Sequence, residues 1–513
     1  MGTAVATARI GEARSLDLRP RAELRLGSQQ ATKKRILFVT PELADLVKVG
    51  GLGDVSAALP KALSAHHDIR VLLPAYRQVL DSGHPIRVIG QVNGLAALPP
   101  CHIGRMDLPD GLIVYLLLCP ELYDREGTPY GDGHGNDWAD NHIRFARLGL
   151  AAAEIAAGTA GLNWRPELVH ANDWPGALAP AYMAWRGLRI PAVFTIHNLA
   201  YQGLCDLRCS AELGIPAEAL TAEALEFYGK LSFLKGGIAY ASHVTTVSET
   251  YAHEITTSRF GCGLEGMLQA KVEEGQLSGI LNGIDESWEP GSDPHLVQGF
   301  SAGRWQGKEA NARHVRKRFG LDMDQGPLFA VVSRLVQQKG IDLTREVAGH
   351  IVEAGGSITV IGQGEPELER AMLELGESHP GRIGVRIGFN ETDARRMFAG
   401  SDFLLMPSRF EPCGLSQMYA QCFGSLPIAR RTGGLADTIE DGVTGFLFGD
   451  ASVDSYLHAI DRALGVYRHP ELLDAMRTRA MESPLYWERS ISPYDELYQR
   501  LLASSGDSGD ACR

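Results

Sequence analysis

Residues Arg35-Ile36-Leu37-Phe38-Val39-Thr40 form a short run with an unbroken apolar centre. A run of this length without polar alternation reads as a strand buried on both faces, the pattern of a parallel sheet. Beyond it stands Lys48-Val49-Gly50-Gly51-Leu52-Gly53-Asp54-Val55, and residues 56–65 then carry Ala58, Leu59, Ala62 and Leu63 at helical spacing. Strand, glycine-rich turn and helix in that order restrict the chain to layered α/β folds. They also leave the N–H groups of a helix N-terminus facing outward, a site for a phosphate or another anion. The glycines let the backbone approach a ligand closely, and Lys48 adds a mobile positive charge at the mouth. Ser56 stands where a dinucleotide fingerprint has its third glycine, and no Walker lysine follows. On its own the stretch supports either a tight turn closing a strand–helix unit or an anion site.

The same alternation continues. Strands are expected at 69–73, 112–118, 168–170, 192–196 and 243–247, with a long helix over 138–157 and another beginning at Pro175. Leu281-Asn282-Gly283-Ile284-Asp285 closes this half, and residues 288–303, with Pro290 and Pro294, read as a linker. A second series places strands at 328–332, 358–361, 385–388, 403–406 and 426–429. At 513 residues the chain exceeds what one core supports. The expected fold is α/β, with two Rossmann-like doubly wound domains facing one another across a cleft. Residues 35–290 form the first, 291–485 the second, and a helix over 486–504 packs back on the first. Residues 1–34, rich in arginine and without an apolar core for a secretory signal, are expected to be a disordered extension, and 505–513 a disordered tail.

A net charge of −13 argues against a nucleic-acid or anionic-membrane surface, both of which want a basic face. No apolar run approaches the roughly 18 residues that span a bilayer. Cys205 and Cys209 stand four apart with no second pair at zinc-ribbon spacing, so the eight cysteines read as free thiols of a reducing compartment.

Polar and glycine-rich segments cluster just after strands, where open α/β sheets bind ligands. Ser333-Arg334-Leu335-Val336-Gln337-Gln338-Lys339-Gly340 follows strand 328–332 and sets two cations in a loop at the cleft. These are either a solvated surface or, opposite Lys48, a clamp for a diphosphate. Pro407-Ser408-Arg409-Phe410-Glu411-Pro412-Cys413-Gly414-Leu415-Ser416 follows the next strand. There Glu411 is a capping carboxylate or an acceptor for sugar hydroxyls, and the N–H groups of Gly414, Leu415 and Ser416 suit a phosphate. Thr432-Gly433-Gly434-Leu435 is a further glycine turn. Asp173 and His197 each end a first-half strand, in a structural or a catalytic role. No carboxylate pair suited to a phosphate-bridging metal ends a strand, and neither G-x-S-x-G nor H-E-x-x-H occurs.

Five segments, at 48–55, 197–203, 333–340, 408–415 and 431–437, together resemble the bacterial glycogen synthase and plant starch synthase family, in family order from about Arg35 to about Leu502. The resemblance implies a two-domain retaining glycosyltransferase of the GT-B type. It would extend an α-1,4-glucan, glycogen or starch, from ADP-glucose, with no cofactor or metal. It makes Asp173, His197, Arg334, Lys339 and Glu411 the catalytic set. Substrate contacts fall to Lys48, Gly50, Gly51, Gly53, Asn198, Asn282, Phe389, Gly414, Leu415 and Ser416. Lys48 and its glycines would sit at the donor diphosphate and glucose, and Arg334 and Lys339 would hold the leaving diphosphate. Glu411 would meet the donor glucose, His197 its 6-hydroxyl, and Phe389 the adenine. Two positions depart from the family pattern: Asn172, where many relatives have a second histidine, and Val49, where many have threonine. The implied location is the cytoplasm, with the plastid stroma as the alternative. The rivals are a related enzyme using UDP-glucose or a small acceptor, and a catalytically silent protein that binds glucan or nucleotide sugar.

Overall fold

The initial apolar run forms the strand Lys34–Val39, whose last four residues are completely buried. The structure is a computed structural model that describes residues 33–507 apart from 134, 324 and 325, with side chains through 504. The extension expected over 1–34 thus lies outside the described residues except at its end, where Lys34 already belongs to the first strand. The chain from Lys34 onward forms one unit.

Two large sheets organise it. In the nine-stranded sheet Lys34–Val39 lies between His67–Pro74 and Leu168–Asn172, parallel to both. Outward on one side follow Ala192–Ile196, His243–Thr246 and Leu277–Gly279, all parallel. On the other side Ile113–Leu118 is parallel to its neighbour, and Cys101–Asp107 and Arg87–Val92 then add an antiparallel edge. The six-stranded sheet is wholly parallel, in the order Ile383–Ile387, Ser357–Gly362, Leu328–Val332, Phe403–Met406, Leu426–Arg430, Phe446–Phe448.

In both sheets the earliest strand is central, the next strands extend the sheet one way, and the chain then returns to build the other side. This doubly wound order creates a switch point where two loops part in opposite directions, and ligands bind there, beyond the carboxyl ends of the strands. In the first sheet the switch lies between Lys34–Val39 and Leu168–Asn172, which open onto the glycine loop and onto Asp173. In the second it lies between Leu328–Val332 and Phe403–Met406, which open onto Arg334 and onto the segment around Glu411.

The helix expected over 138–157 begins at Asn141, because Trp138 is held in a turn by its indole N–H on the Thr128 carbonyl. The stretch 288–303 contains no helix or strand, yet it packs tightly. Trp288 stacks on Tyr419 with ring centroids 3.6 Å apart, the Arg395 guanidinium lies 3.8 Å from the Trp288 ring, and Arg395 pairs with buried Asp293 at 2.9 Å. Near the chain's end a second crossing runs beside the first, with the Ile284 N–H donating to the Leu485 carbonyl. The final helix, Trp487–Asp507, then lies on the first sheet's side: Asp495 accepts from His66 and His67, and the Tyr498 hydroxyl is 2.6 Å from His170 Nδ1. That helix continues two residues past Ser505, where the sequence suggested a disordered tail.

Candidate active site

At the first switch point the chain leaves Val39 through Thr40 and reaches the glycine loop by way of Glu42. The Glu42 carboxylate accepts the N–H of Val49 at 2.7 Å and of Gly50 at 3.0 Å, and takes the Tyr130 hydroxyl at 2.6 Å on its other oxygen. A helix then starts at Gly51. Glu42 is only 3% exposed, and burial raises its pKa. Its position makes it the anchor of the loop: the two N–H groups it binds cannot also face a ligand, whereas those of the following turn can. Lys48, expected as a free cation, instead pairs with Asp54 at 2.6 Å. An incoming anion would therefore compete with Asp54 for Lys48.

Asp173 is the most unusual residue of this lobe. Its φ is +54°, a left-handed backbone that aspartate tolerates better than most residues, and its carboxyl faces the N–H groups of Trp174, His197 and Asn198. Burial outweighs those donors and pushes its pKa up to about 7, and Oδ1 has no hydrogen-bond partner among the described residues. His197 is partly buried, and desolvation pushes its pKa down to about 3 and holds it neutral. Its Nε2 lies 3.1 Å from Asn172 Oδ1, and Asn172 Nδ2 donates to the Val39 carbonyl at 3.1 Å. Asn172, the departure from the family pattern, thus ties His197 to the end of the central strand. The Asn198 side chain caps its own turn by accepting the Ala200 N–H.

The second switch point is cationic and ion-paired. Lys339 Nζ lies 2.5 Å from Glu411, whose same oxygen also accepts the Ser408 hydroxyl at 3.0 Å. Close backbone packing fixes both partners. Gly340 has φ +67° and a Cβ there would lie 2.2 Å from the Pro407 carbonyl, and one at Gly433 would lie 1.9 Å from the carbonyl of Glu411. Only glycine allows these loops to meet. Gly414, Leu415 and Ser416 follow at the start of the helix Ser416–Cys422. Asn282, nearly fully buried, meets the Cys413 thiol and leaves its own Oδ1 unpartnered among the described residues. Phe389, 60% exposed, follows Gly388 at the end of an edge strand and offers an open aromatic face.

The two switch points face one another. A Cβ at Gly51 would stand 3.3 Å from Leu415, so the glycine loop touches the Gly414–Ser416 segment directly. Arg334 Nη1 lies 3.2 Å from the Tyr201 hydroxyl, and the Ser248 hydroxyl donates to the Pro412 carbonyl at 2.5 Å. Thr432 donates to Glu254 at 2.8 Å, and Asp437 accepts the Thr250 N–H at 2.9 Å. Arg431 and Asp437 of the fifth motif line a separate cavity of about 490 Å³ with Arg489, which none of Lys48, Asp173, Arg334 or Glu411 borders. Sequence reasoning missed Glu42, Tyr130 and Tyr201. The available signal for Glu42 was its place three residues beyond the end of the central strand.

Residues 35–270 match the family described as the starch synthase catalytic domain, and residues 315–482 match glycosyl transferases group 1. The chain is 67% identical over 473 residues to a glycogen synthase of Pseudomonas paraeruginosa, covering 92% of each chain. It is 66% identical over 480 residues to a glycogen synthase of Pseudomonas fluorescens, covering 94% of this chain and 99% of that one. The chain belongs to the glycogen and starch synthase family. Its structure superposes on the catalytic domain of starch synthase IV from Arabidopsis thaliana, bound to ADP and acarbose, with TM-score 0.82, 32% identity and coverage of 92% and 100%. A sucrose-phosphate synthase from Thermosynechococcus elongatus, 16% identical with TM-score 0.57, shares the fold. The expected GT-B architecture is therefore present, and this member of the glycogen and starch synthase family is a glycosyltransferase that moves glucose from a nucleotide sugar to a glucan. Among the described residues no helix is long and apolar enough to cross a membrane.

Proposed function

We propose that the chain transfers glucose from ADP-glucose to the non-reducing end of an α-1,4-glucan with retention at the anomeric carbon, and that the two switch points divide the labour. The observation that carries this reading is the meeting of the Gly51 turn with Leu415, which sets the Lys48 loop against the Arg334, Lys339 and Glu411 segments. The solved relative bound to ADP and acarbose supports an adenine nucleotide and a glucan-like acceptor.

In this reading the diphosphate lies between Lys48, Arg334, Lys339 and the N–H groups of Gly51, Gly414, Leu415 and Ser416, while Gly50 and Gly53, whose N–H groups go to Glu42 and to the Gly50 carbonyl, shape the turn that lets it approach. The adenine rests on Phe389, and Asn282 borders the nucleotide. As the C1–O bond breaks, its electron pair passes to the departing diphosphate, and the fixed cations stabilise it without a divalent ion. Preorganised groups of this kind contribute roughly 3–4 kcal/mol each to the barrier. Glu411, oriented by Lys339 and Ser408, accepts hydrogen bonds from the glucose hydroxyls. His197 and Asn198 line the sugar, while the His197 carbonyl and Asp173 face the positive charge that grows on its ring. The acceptor 4-hydroxyl attacks from the leaving-group face and gives its proton to the departing phosphate. The cytoplasm is the compartment we propose for this chemistry.

Incubating the purified chain with glycogen and radiolabelled ADP-glucose or UDP-glucose tests the reading. Label should enter the glucan from ADP-glucose in preference. Preference for UDP-glucose would support the related enzyme, and no incorporation from either the silent binding protein. A glucosyl adduct isolated on the protein would overturn the direct front-face transfer.

A further inference from the structure

The pair Cys205 and Cys209 lacks partners in sequence, but the fold supplies them. His142, in the first turn of the helix Asn141–Ala157, and Glu212, at the end of the short helix Cys209–Glu212, come to the same place. One donor atom each from His142, Cys209 and Glu212 lie within 4.8 Å of one another. His142 Nε2 and a Glu212 carboxylate oxygen are 3.4 Å apart. Donors on a tetrahedral zinc ion, with bonds of about 2.0–2.3 Å, sit about 3.3–3.8 Å from one another, so one edge of such a site already has its length. The Cys205 thiol, on the strand Leu204–Asp206, hydrogen-bonds with the Cys209 thiol from outside this group of three, so a turn of its side chain would bring it in as a fourth donor.

We propose that His142, Cys205, Cys209 and Glu212 bind a single zinc ion. Two thiolates, an imidazole and a carboxylate select a borderline-soft divalent ion over magnesium or calcium, which prefer all-oxygen shells. The His142 and Glu212 side chains are 20% and 56% exposed, which leaves an entry path. The ion would join the start of a core helix to the excursion over 204–212, whose backbone reaches residue 97 through the Ala97 N–H on the Glu212 carbonyl. The segment also begins three residues past Tyr201, the residue that touches Arg334 across the cleft. The role is structural and separate from glucosyl transfer.

The test uses the full chain, reduced with a phosphine and stripped with a chelator, then titrated with zinc against a chromophoric competitor. One equivalent should bind and raise the melting temperature, and chelation should reverse the rise. Cobalt(II) in its place should give thiolate charge-transfer absorption. Cys209→Ser and His142→Ala should each weaken binding at least about 100-fold, more than the loss of an outer-shell partner. Cys262→Ser, outside the cluster, should bind as the unaltered chain does, and Cys209→Ser should keep its transferase activity, showing that it folds. Binding that persists in Cys209→Ser and His142→Ala, no stoichiometric binding at all, or a Cys205–Cys209 disulfide that resists the phosphine would overturn the proposal.

Discussion

The two switch points have the same topology and opposite electrostatics. In the first lobe Asp173 and Glu42 are buried and His197 is partly so, and desolvation outweighs the available partners and favours the uncharged form of all three. In the second lobe Lys339 pairs with Glu411 at 2.5 Å, and Arg334 reaches across the cleft to the Tyr201 hydroxyl. The contrast fits a division between the sugar, whose reacting carbon needs a shielded and shaped site, and the diphosphate, which needs fixed positive charge. A fold reused twice in one chain thus carries two chemistries, set by which side chains end its central strands.

The largest expected effect lies on the cationic side. Lys339→Ala should lower kcat by about 10²–10³ at saturating donor while leaving the fold intact. A near-normal kcat would remove the second lobe from the chemistry. On the buried side, Asp173→Asn keeps a residue that tolerates the left-handed backbone. Between pH 3.8 and about 7 the folded chain retains a proton on Asp173 that the unfolded chain has released, so this group weakens the fold progressively as pH rises through that window. The variant should therefore gain stability relative to the unaltered chain from pH 4 to pH 7, by on the order of a few kcal/mol in urea unfolding. A difference constant with pH would mean that Asp173 is ordinarily ionised.

Smaller effects sharpen the boundary between the lobes. Phe389→Ala should raise the donor KM about tenfold with kcat unchanged, the loss of one stacked aromatic face. An altered kcat with an unaltered KM would place Phe389 away from the nucleotide. Tyr201→Phe removes the hydroxyl that meets Arg334 between two exposed side chains, and should change kcat/KM only about two- to fivefold. A hundredfold loss would make Tyr201 part of the reaction site.

The strands that end at the site were legible because central parallel strands are continuous apolar runs. The strands expected at 192–196, 328–332 and 403–406 form with those bounds. The antiparallel edge Arg87–Val92 and Cys101–Asp107 was not, because a half-exposed edge alternates with polar residues and resembles a loop. Among the site residues, those in glycine-bearing loops stood out, since close backbone approach leaves glycine as a visible trace. The bonds that hold the loops did not. Tyr130 reaches Glu42 across 88 residues and His142 reaches Glu212 across 70, and no local pattern encodes either pairing. The stretch 288–303 is irregular, as its prolines signal, but they say nothing of the Trp288–Tyr419 stack that fastens it.

The central claim is that cations from both lobes grip one diphosphate. Calorimetric titration of ADP and of adenosine into the unaltered chain, Lys48→Ala and Arg334→Ala tests it most directly. The account predicts that each variant loses about tenfold or more in ADP affinity, with adenosine affinity unchanged. ADP affinity untouched by either substitution would contradict it.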